Sequence, residues 1–192
     1  MNEVASELNK LGFSFEEPAK NSLPFANRAL FFADPAGNHY AIYTSQTTLA
    51  NSGTHSDRMS GVGYLELEAP ELEASVRFYK QVLGFDFLAY SEHPILRSRR
   101  ATMLMASGQT LILTESAFKP KGLVMSRSVP GPHIAFYIPA TRWRDALAHL
   151  DELRIPNGDR GAAKERVPGG NAGTYMDDPA GYVIQYITDG ME

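Results

Sequence analysis

One imidazole, one carboxylate and one phenol have types and spacing that could support chemistry. Tyr64 and Glu66 stand two residues apart in a segment that alternates polar and apolar residues, so a strand would present both on the same face. His133 opens a second strand-like run. Because the chain has no cysteine, a thiolate nucleophile and a sulfur-ligated zinc site are excluded. Any metal would need imidazole, carboxylate, amide or phenol ligands.

Composition and charge narrow the class of protein. The chain has 192 residues, 43% of them hydrophobic, which is enough for one large domain or two small ones with a proper core. Its 18 Lys and Arg against 22 Asp and Glu give a net charge of -4 without a basic stretch, so nucleic acid is not expected as a partner. No signal peptide or long apolar stretch is evident, so we expect a cytoplasmic protein without a membrane partner.

A repeated tetrapeptide reveals internal repetition. Asp-Pro-Ala-Gly occurs at 34–37 and again at 178–181, each time between two strand-like runs. Asp opens a turn, Pro presets φ and Gly tolerates a positive φ, so the tetrapeptide predicts a tight turn. Around both copies the pattern predicts a helix end, two strands, the turn and a further strand.

The middle of the chain contains a fuller version of this unit. An alternating strand from Tyr64 is followed by apolar residues at helical spacing up to Gly84, and then by three further strand-like runs, which gives the order βαβββ. A third copy begins at His133. The sequence therefore predicts an α+β fold, with a partial module at 1–44 that lacks its first strand, a linker at 45–60, and a two-module domain at 61–189 formed by 61–116 and 131–189.

Two segments carry a resemblance to a known superfamily. Residues 71–79, ELEASVRFY, followed by VLGF at 82–85, resemble the first helix of the vicinal oxygen chelate superfamily, which contains glyoxalases, bleomycin-resistance proteins and extradiol dioxygenases. Residues 175–181, YMDDPAG, are similar to the ending of extradiol dioxygenases. The resemblance implies paired modules that form an eight-stranded cup. Within the superfamily, the chain most resembles a type I extradiol dioxygenase with a truncated N-terminal part.

The same resemblance implies where metal ligands would lie, on the first and fourth strands of the paired modules. These positions hold Tyr64, Ile112, His133 and Gln185. Extradiol enzymes use two histidines and one glutamate, and only His133 matches that set. A divalent metal (Fe, Mn, Zn or Ni) is therefore expected to bind weakly, if at all, with His133, Gln185 and Tyr64 as ligands.

Further roles follow from the resemblance, each beside a plainer alternative. Glu66 and Tyr175 are candidate catalytic residues. The plainer alternatives are that Glu66 is a solvated carboxylate at a strand edge and that Tyr175 is an ordinary aromatic residue of a strand. His133 also suits a polar strand residue without a function. The residues expected to bind substrate are those that would line the cup: Tyr64, Ile112, Tyr137 and Tyr175. The basic cluster Arg97, Arg99 and Arg100 favours a solvated edge, although an inward arginine would hold an anionic group.

The functional expectation is a glyoxalase- or dioxygenase-like protein that acts on a small aromatic or vicinal-dioxygenated molecule. The alternative is a metal-free protein that sequesters a small molecule, as bleomycin-resistance proteins do. A third possibility is a protein that uses this fold only for assembly or regulation. A module without its first strand leaves an open sheet edge, and paired modules in this superfamily commonly associate between chains, so a homodimer is expected.

Overall fold

The computed structural model describes most of the chain, in two compact units. The described residues are 1–17, 26–35, 39–45, 62–93, 96–117, 133–158 and 172–188. Unit 1 comprises 1–61 with 93–96, and unit 2 comprises 62–92 with 97–192. Within the described part, no helix has the length and apolar content needed to span a bilayer. The α+β class predicted from the sequence is confirmed.

Unit 1 is a helix followed by an antiparallel sheet in the order β1-β2-β3. Its elements are α1 (Asn2–Lys10), β1 (Phe15–Glu16), β2 (Ala26–Ala33) and β3 (His39–Ser45). The helix ends where Gly12 takes a φ of +79°, a left-handed conformation that glycine adopts without a steric cost. The tight turn expected at 34–37 falls partly outside the described residues.

The first module of unit 2 has the predicted βαβββ order. It consists of β4 (Tyr64–Ala69), α2 (Leu72–Gln81), β5 (Asp86–Glu92), β6 (Arg99–Leu104) and β7 (Thr110–Glu115). The sheet order is β4-β7-β6-β5, and β4 runs parallel to β7. Helix α2 buries Leu72, Val76 and Tyr79, which recur at helical spacing. Gly84, with a φ of +72°, turns the chain from α2 into β5.

The second module has the same element order as far as the described residues extend. It consists of β8 (Ile134–Tyr137), a 3-10 turn at Ala140–Arg142, α3 (Trp143–Glu152), β9 (Ala172–Asp177) and β10 (Val183–Thr188). The sheet order is β8-β10-β9, with β8 parallel to β10. Within the described residues, the segment expected to form the second strand contributes a bridge from Gly158 to Tyr175. Residues 159–171, which would extend it, lie outside the described residues, so unit 2 has seven described strands rather than eight.

The two modules of unit 2 share one hydrophobic core. Phe85 of the first module packs edge-on against Phe136 of the second, with ring centroids 5.4 Å apart. The buried Tyr186 donates a hydrogen bond of 2.9 Å from its hydroxyl to the carbonyl oxygen of Val82. Each fully buried large apolar side chain contributes roughly 1.5–3 kcal/mol. The largest in this core are Trp143, Tyr79, Leu72, Met103, Leu111, Leu113, Leu150, Met176 and Ile184.

Unit 1 repeats the end of the second module. Helix α1 and helix α3 terminate with the same backbone bonds, Phe13 N–H to Leu8 O and Ile155 N–H to Leu150 O, each 2.9 Å. The sheets also match, because β3 pairs with β2 in the antiparallel way that β10 pairs with β9. In the second module, β10 has β8 as a parallel partner on its other side. No described strand occupies the corresponding edge of β3.

Candidate ligand site on the polar sheet faces

One face of the three-stranded sheet carries the predicted site residues of the second module. Tyr175 on β9 is the antiparallel partner of Gln185 on β10, and Gln185 is the parallel partner of Ala135 on β8. Paired residues in neighbouring strands point to the same side of a sheet. Ile184 and Tyr186, which alternate with Gln185, enter the core. Tyr175, Gln185 and Ala135 therefore share the face opposite to the core.

The structure brings His133 to this face beside Tyr175. Their ring centroids are 5.5 Å apart at an interplanar angle of 78°, an edge-to-face contact. His133 is exposed, whereas Tyr175 and Gln185 are 3% and 6% exposed. Tyr137 lies on the same face by alternation and is 56% exposed. Four of the residues singled out from the sequence thus lie on one sheet face.

The four-stranded sheet has a corresponding face. Tyr64 and Glu66 on β4 are the parallel partners of Thr110 and Ile112 on β7. Leu65 and the residues that alternate with it pack against the core instead. Tyr64 is half-buried, and Ile112 is almost fully buried, with 1% exposed. The two modules therefore each direct their predicted cup residues away from the shared core.

A buried arginine lies on the face of the four-stranded sheet beside Glu66. Arg100 donates to Glu66 Oε1 from Nη2 at 2.6 Å and from Nε at 3.2 Å. The Thr114 hydroxyl donates to the same oxygen at 2.6 Å. The side chains of Arg100 and Glu66 are 6% and 28% exposed. Glu66 is therefore a carboxylate on an edge strand, held in place by hydrogen bonds from two buried side chains and still in contact with solvent.

The basic cluster at the start of β6 divides between two environments. The side chains of Arg97 and Arg99 are 77% and 50% exposed and form surface ion pairs with Glu92 and Glu73. The prediction of a solvated edge holds for these two residues and is wrong for Arg100. Alternation explains the difference, because Arg99 and Arg100 are neighbours in a strand and point to opposite faces. Arg100 is therefore the inward arginine of the cluster, and the group it holds is the Glu66 carboxylate.

The Asp-Pro turn of the second module has a structural role. Asp178 is 5% exposed, accepts a hydrogen bond of 2.9 Å from the Tyr79 hydroxyl, and accepts one of 2.8 Å from the Tyr182 backbone N–H. Burial raises the pKa of the Asp178 carboxyl, and these hydrogen bonds oppose the rise. Because Tyr79 lies on α2, the motif joins the two modules.

The donor chemistry of these faces does not suit a tightly held metal. The predicted ligands are one imidazole, one neutral amide and one phenol, and the phenol would have to lose a proton to bind. Among the described residues, no three His, Asp or Glu side chains lie close enough together to hold an ion. The residues present therefore do not fit a firmly bound Fe, Mn, Zn or Ni.

Comparison with known proteins agrees with the module pattern. The family model for the Glyoxalase/Bleomycin resistance protein/Dioxygenase superfamily matches residues 61–186. Virulence protein STM3117 of Salmonella typhimurium is 25% identical over 124 residues, which cover 65% of this chain and 81% of that protein.

Two solved structures resemble the chain in fold. The fosfomycin resistance protein FosX from Listeria monocytogenes, as a variant complexed with Mn(II) and 1S,2S-dihydroxypropylphosphonic acid, matches with a TM-score of 0.55 and 16% identity, over 69% of this chain and 95% of that one. A glyoxalase/dioxygenase from Nostoc punctiforme matches with a TM-score of 0.54 and 20% identity, over 74% of this chain and 99% of that one.

Proposed function

Because the chain belongs to the Glyoxalase/Bleomycin resistance protein/Dioxygenase superfamily, we propose that it binds a small aromatic or vicinal-dioxygenated molecule on the polar faces of unit 2. One observation carries the proposal: His133, Tyr175 and Gln185 lie together on a sheet face that points away from the core. A buried tyrosine and a buried amide beside an exposed imidazole combine apolar contact area with directed polar groups, as ligand sites do.

Binding without a metal is the form of this proposal that the donor chemistry favours. Neutral Gln185 stands where a carboxylate would supply negative charge, and His133 is the one imidazole of the predicted set. Such a site can bind an aromatic ring by stacking and hydrogen bonding alone. The chain would then sequester its ligand in the manner of a bleomycin-resistance protein.

A metal-assisted enzyme of glyoxalase or dioxygenase type is the second candidate. It is favoured by the grouping of His133, Tyr175 and Gln185, and by Mn(II) in the FosX structure, which shares the fold. In that case His133, Gln185 and Tyr64 are the ligands, and Glu66 and Tyr175 the catalytic groups. This assignment depends on convergence of residues from two sheets.

Metal titration separates the two forms. The protein is purified without added metal, its Fe, Mn, Zn and Ni content is measured, and each ion is then titrated by calorimetry. The binding-protein form predicts no dissociation constant below about 1 mM, the range expected for one imidazole without a carboxylate partner. A micromolar constant that is lost in His133→Ala and kept in His149→Ala would establish the metal site instead.

A ligand screen tests the site itself. Thermal shifts with a panel of aromatic and vicinal-dioxygenated compounds are compared between the wild type, Tyr175→Phe and Gln185→Ala. The proposal expects hits whose shift falls in both variants and is unchanged in Arg144→Gln, a change at an exposed position of α3. Equal shifts in all four proteins would contradict this location.

We also propose the assembly and the division of the chain that the sequence suggested. Residues 1–44 form a partial module, 45–60 a linker, and 61–189 the ligand-binding domain. A homodimer is proposed because the edge of β3 has no described strand beside it, and an open, uncharged edge favours pairing with another chain.

A further inference from the structure

Glu66 has one oxygen that is saturated with hydrogen bonds and one that is not. Oε1 accepts from Arg100 Nη2, Arg100 Nε and the Thr114 hydroxyl. Oε2 has no hydrogen-bond donor among the described residues, although the side chain is 28% exposed. Arg100 and Thr114 are 5% and 4% exposed, so the groups that orient the carboxylate are themselves fixed. The second oxygen is thus aimed by a rigid support.

The fold does not require this cluster, as the second module shows. Glu66 pairs with Ile112 as Ala135 pairs with Gln185. Two residues further along β7, Thr114 pairs with Arg100. At the same position of β10 in the second module, Ile187 pairs with Gly173. The three positions of the cluster are therefore Ala135, Ile187 and Gly173 in the second module, none of them charged.

The cost of the cluster also argues for a role beyond folding. Removing an ion pair from water has a large desolvation penalty, and well-packed apolar residues in its place are often as stable or more stable. The pair lies on the face opposite to the shared core, so it does not hold the two modules together. The presence of the Glu66–Arg100 ion pair is explained if the carboxylate contacts a molecule that binds on that face.

The charges of Glu66 and Arg100 indicate which chemical class of group would contact the carboxylate. Arg100 already neutralises Glu66, so a cation would gain little Coulomb energy at Oε2. A neutral hydroxyl gains a charge-assisted hydrogen bond, which is stronger than a bond between two neutral groups. We propose that Glu66 Oε2 is the recognition point for a neutral hydroxyl group, alcoholic or phenolic, of the ligand. This inference rests on the proposed small-molecule binding and names the ligand class that Glu66 selects.

The test compares two probes of equal ring size on metal-free protein. Catechol offers two hydroxyl donors, and 1,2-dimethoxybenzene offers none. Dissociation constants are measured by calorimetry or by NMR titration for the wild type, Glu66→Gln, the double variant Glu66→Ala with Arg100→Ala, and Glu73→Gln. Glu66→Gln retains an oxygen for Arg100 and replaces Oε2 with a group that cannot accept. Glu73→Gln alters the exposed pair with Arg99 as a matched control.

The expected result is that wild type and Glu73→Gln bind catechol about tenfold more tightly than 1,2-dimethoxybenzene, the size of one charge-assisted hydrogen bond. Both Glu66 variants should lose this preference and keep their affinity for 1,2-dimethoxybenzene. A preference that survives in them overturns the subsite and leaves the binding function intact. A metal-free wild type that binds both probes equally well also overturns it. Failure of both probes to bind wild type overturns the proposed function together with the subsite.

Discussion

Arg100 reaches Glu66 across an intervening strand. The two residues lie on β6 and β4, which are separated by β7, and Thr114 of β7 donates to the same Glu66 oxygen from between them. The bond from Arg100 Nη2 measures 2.6 Å. The extended arginine and glutamate side chains together can bridge two strand spacings when both lie flat on the sheet. The cluster therefore ties three strands together on the face opposite to the core.

The first prediction is an asymmetry between the two partners of this ion pair. Glu66→Ala leaves a guanidinium that is 6% exposed without its counter-charge, whereas Arg100→Met leaves a carboxylate that is 28% exposed and can be hydrated. We expect Glu66→Ala to cost about 2–4 kcal/mol of unfolding free energy, and Arg100→Met about 1 kcal/mol. Urea unfolding followed by circular dichroism measures both. Equal losses would show that Arg100 is hydrated in solution.

The sequence predicts the elements of the first module well, because its patterns are local. The alternation after Tyr64 and the spacing of Leu72, Val76 and Tyr79 identify β4 and α2 without tertiary information. Of the predicted second strand of the second module, the described residues include the Gly158 bridge to Tyr175, and residues 159–171 lie outside them. That segment lacks the strong alternation of β4, so its prediction depends on the repeat and not on a local pattern.

The site is predicted only in part, because its contacts join distant segments. Tyr175 and Gln185 face each other across a hairpin, so local turn chemistry brings them together. Glu66 and Arg100 are 34 positions apart and meet only because β7 lies between their strands. Alternation alone does not decide whether Arg99 or Arg100 points to the core side. The strand order decides it, and strand order is a property of the whole sheet.

The second prediction concerns the pH dependence of the Asp178 turn. Burial raises the pKa of Asp178 in the folded protein above its ordinary value of 3.8. The folded state therefore holds this proton more tightly than the unfolded state, and the carboxyl's contribution to stability falls as pH rises from about 4 through the raised pKa. Relative to Asp178→Asn, the wild type should gain stability as pH falls from 7 to 4. Urea unfolding of both proteins across this range measures the difference, and a constant difference would contradict the raised pKa.

The third prediction compares two buried tyrosine hydroxyls that join the modules. Tyr79→Phe leaves the buried Asp178 carboxylate without one of its donors, and Tyr186→Phe leaves only a backbone carbonyl unpaired. Because an unsatisfied charged acceptor is costlier than a neutral one, we expect losses of about 2–3 kcal/mol and about 1 kcal/mol. Thermal and urea unfolding at pH 7 give both values. Tyr182→Phe, whose hydroxyl accepts from the exposed Glu68 N–H, is the control and should cost less than either.

The fourth prediction restores the ligand set of the dioxygenase group. Tyr64→His combined with Gln185→Glu supplies a second imidazole and a carboxylate in addition to His133. If these positions converge, the double variant should bind Mn(II) or Fe(II) at least about 100-fold more tightly than wild type, since charge and a second nitrogen ligand both favour the ion. Calorimetry with Mn(II) measures the change, and the two single variants separate the contributions. Unchanged affinity would show that Tyr64 and Gln185 do not approach one another.

The fifth prediction tests the proposed homodimer at the edge of β3. The opposite edge strand, β1, has two residues and carries Glu16, a short and charged edge of the kind that prevents pairing. Strand β3 has seven residues, of which none is acidic, lysine or arginine. Antiparallel pairing of two copies centred on Ile42 would set Tyr40 against Thr44 of the partner subunit. Tyr40 is 47% exposed and Thr44 is also exposed, so a charged side chain at either position can reach water.

Charge variants at these two positions make the dimer testable. Tyr40→Lys with Thr44→Lys places like charges opposite one another in each cross-strand pair and should give a monomer. Tyr40→Glu with Thr44→Lys carries opposite charges at the same positions and should restore the dimer. Light scattering coupled to size-exclusion chromatography measures the mass, and circular dichroism confirms that both variants fold. If the wild type is monomeric at about 100 μM, or if both variants stay dimeric, β3 does not pair with a second copy, because a two-fold contact at this edge must respond to the sign of both charges.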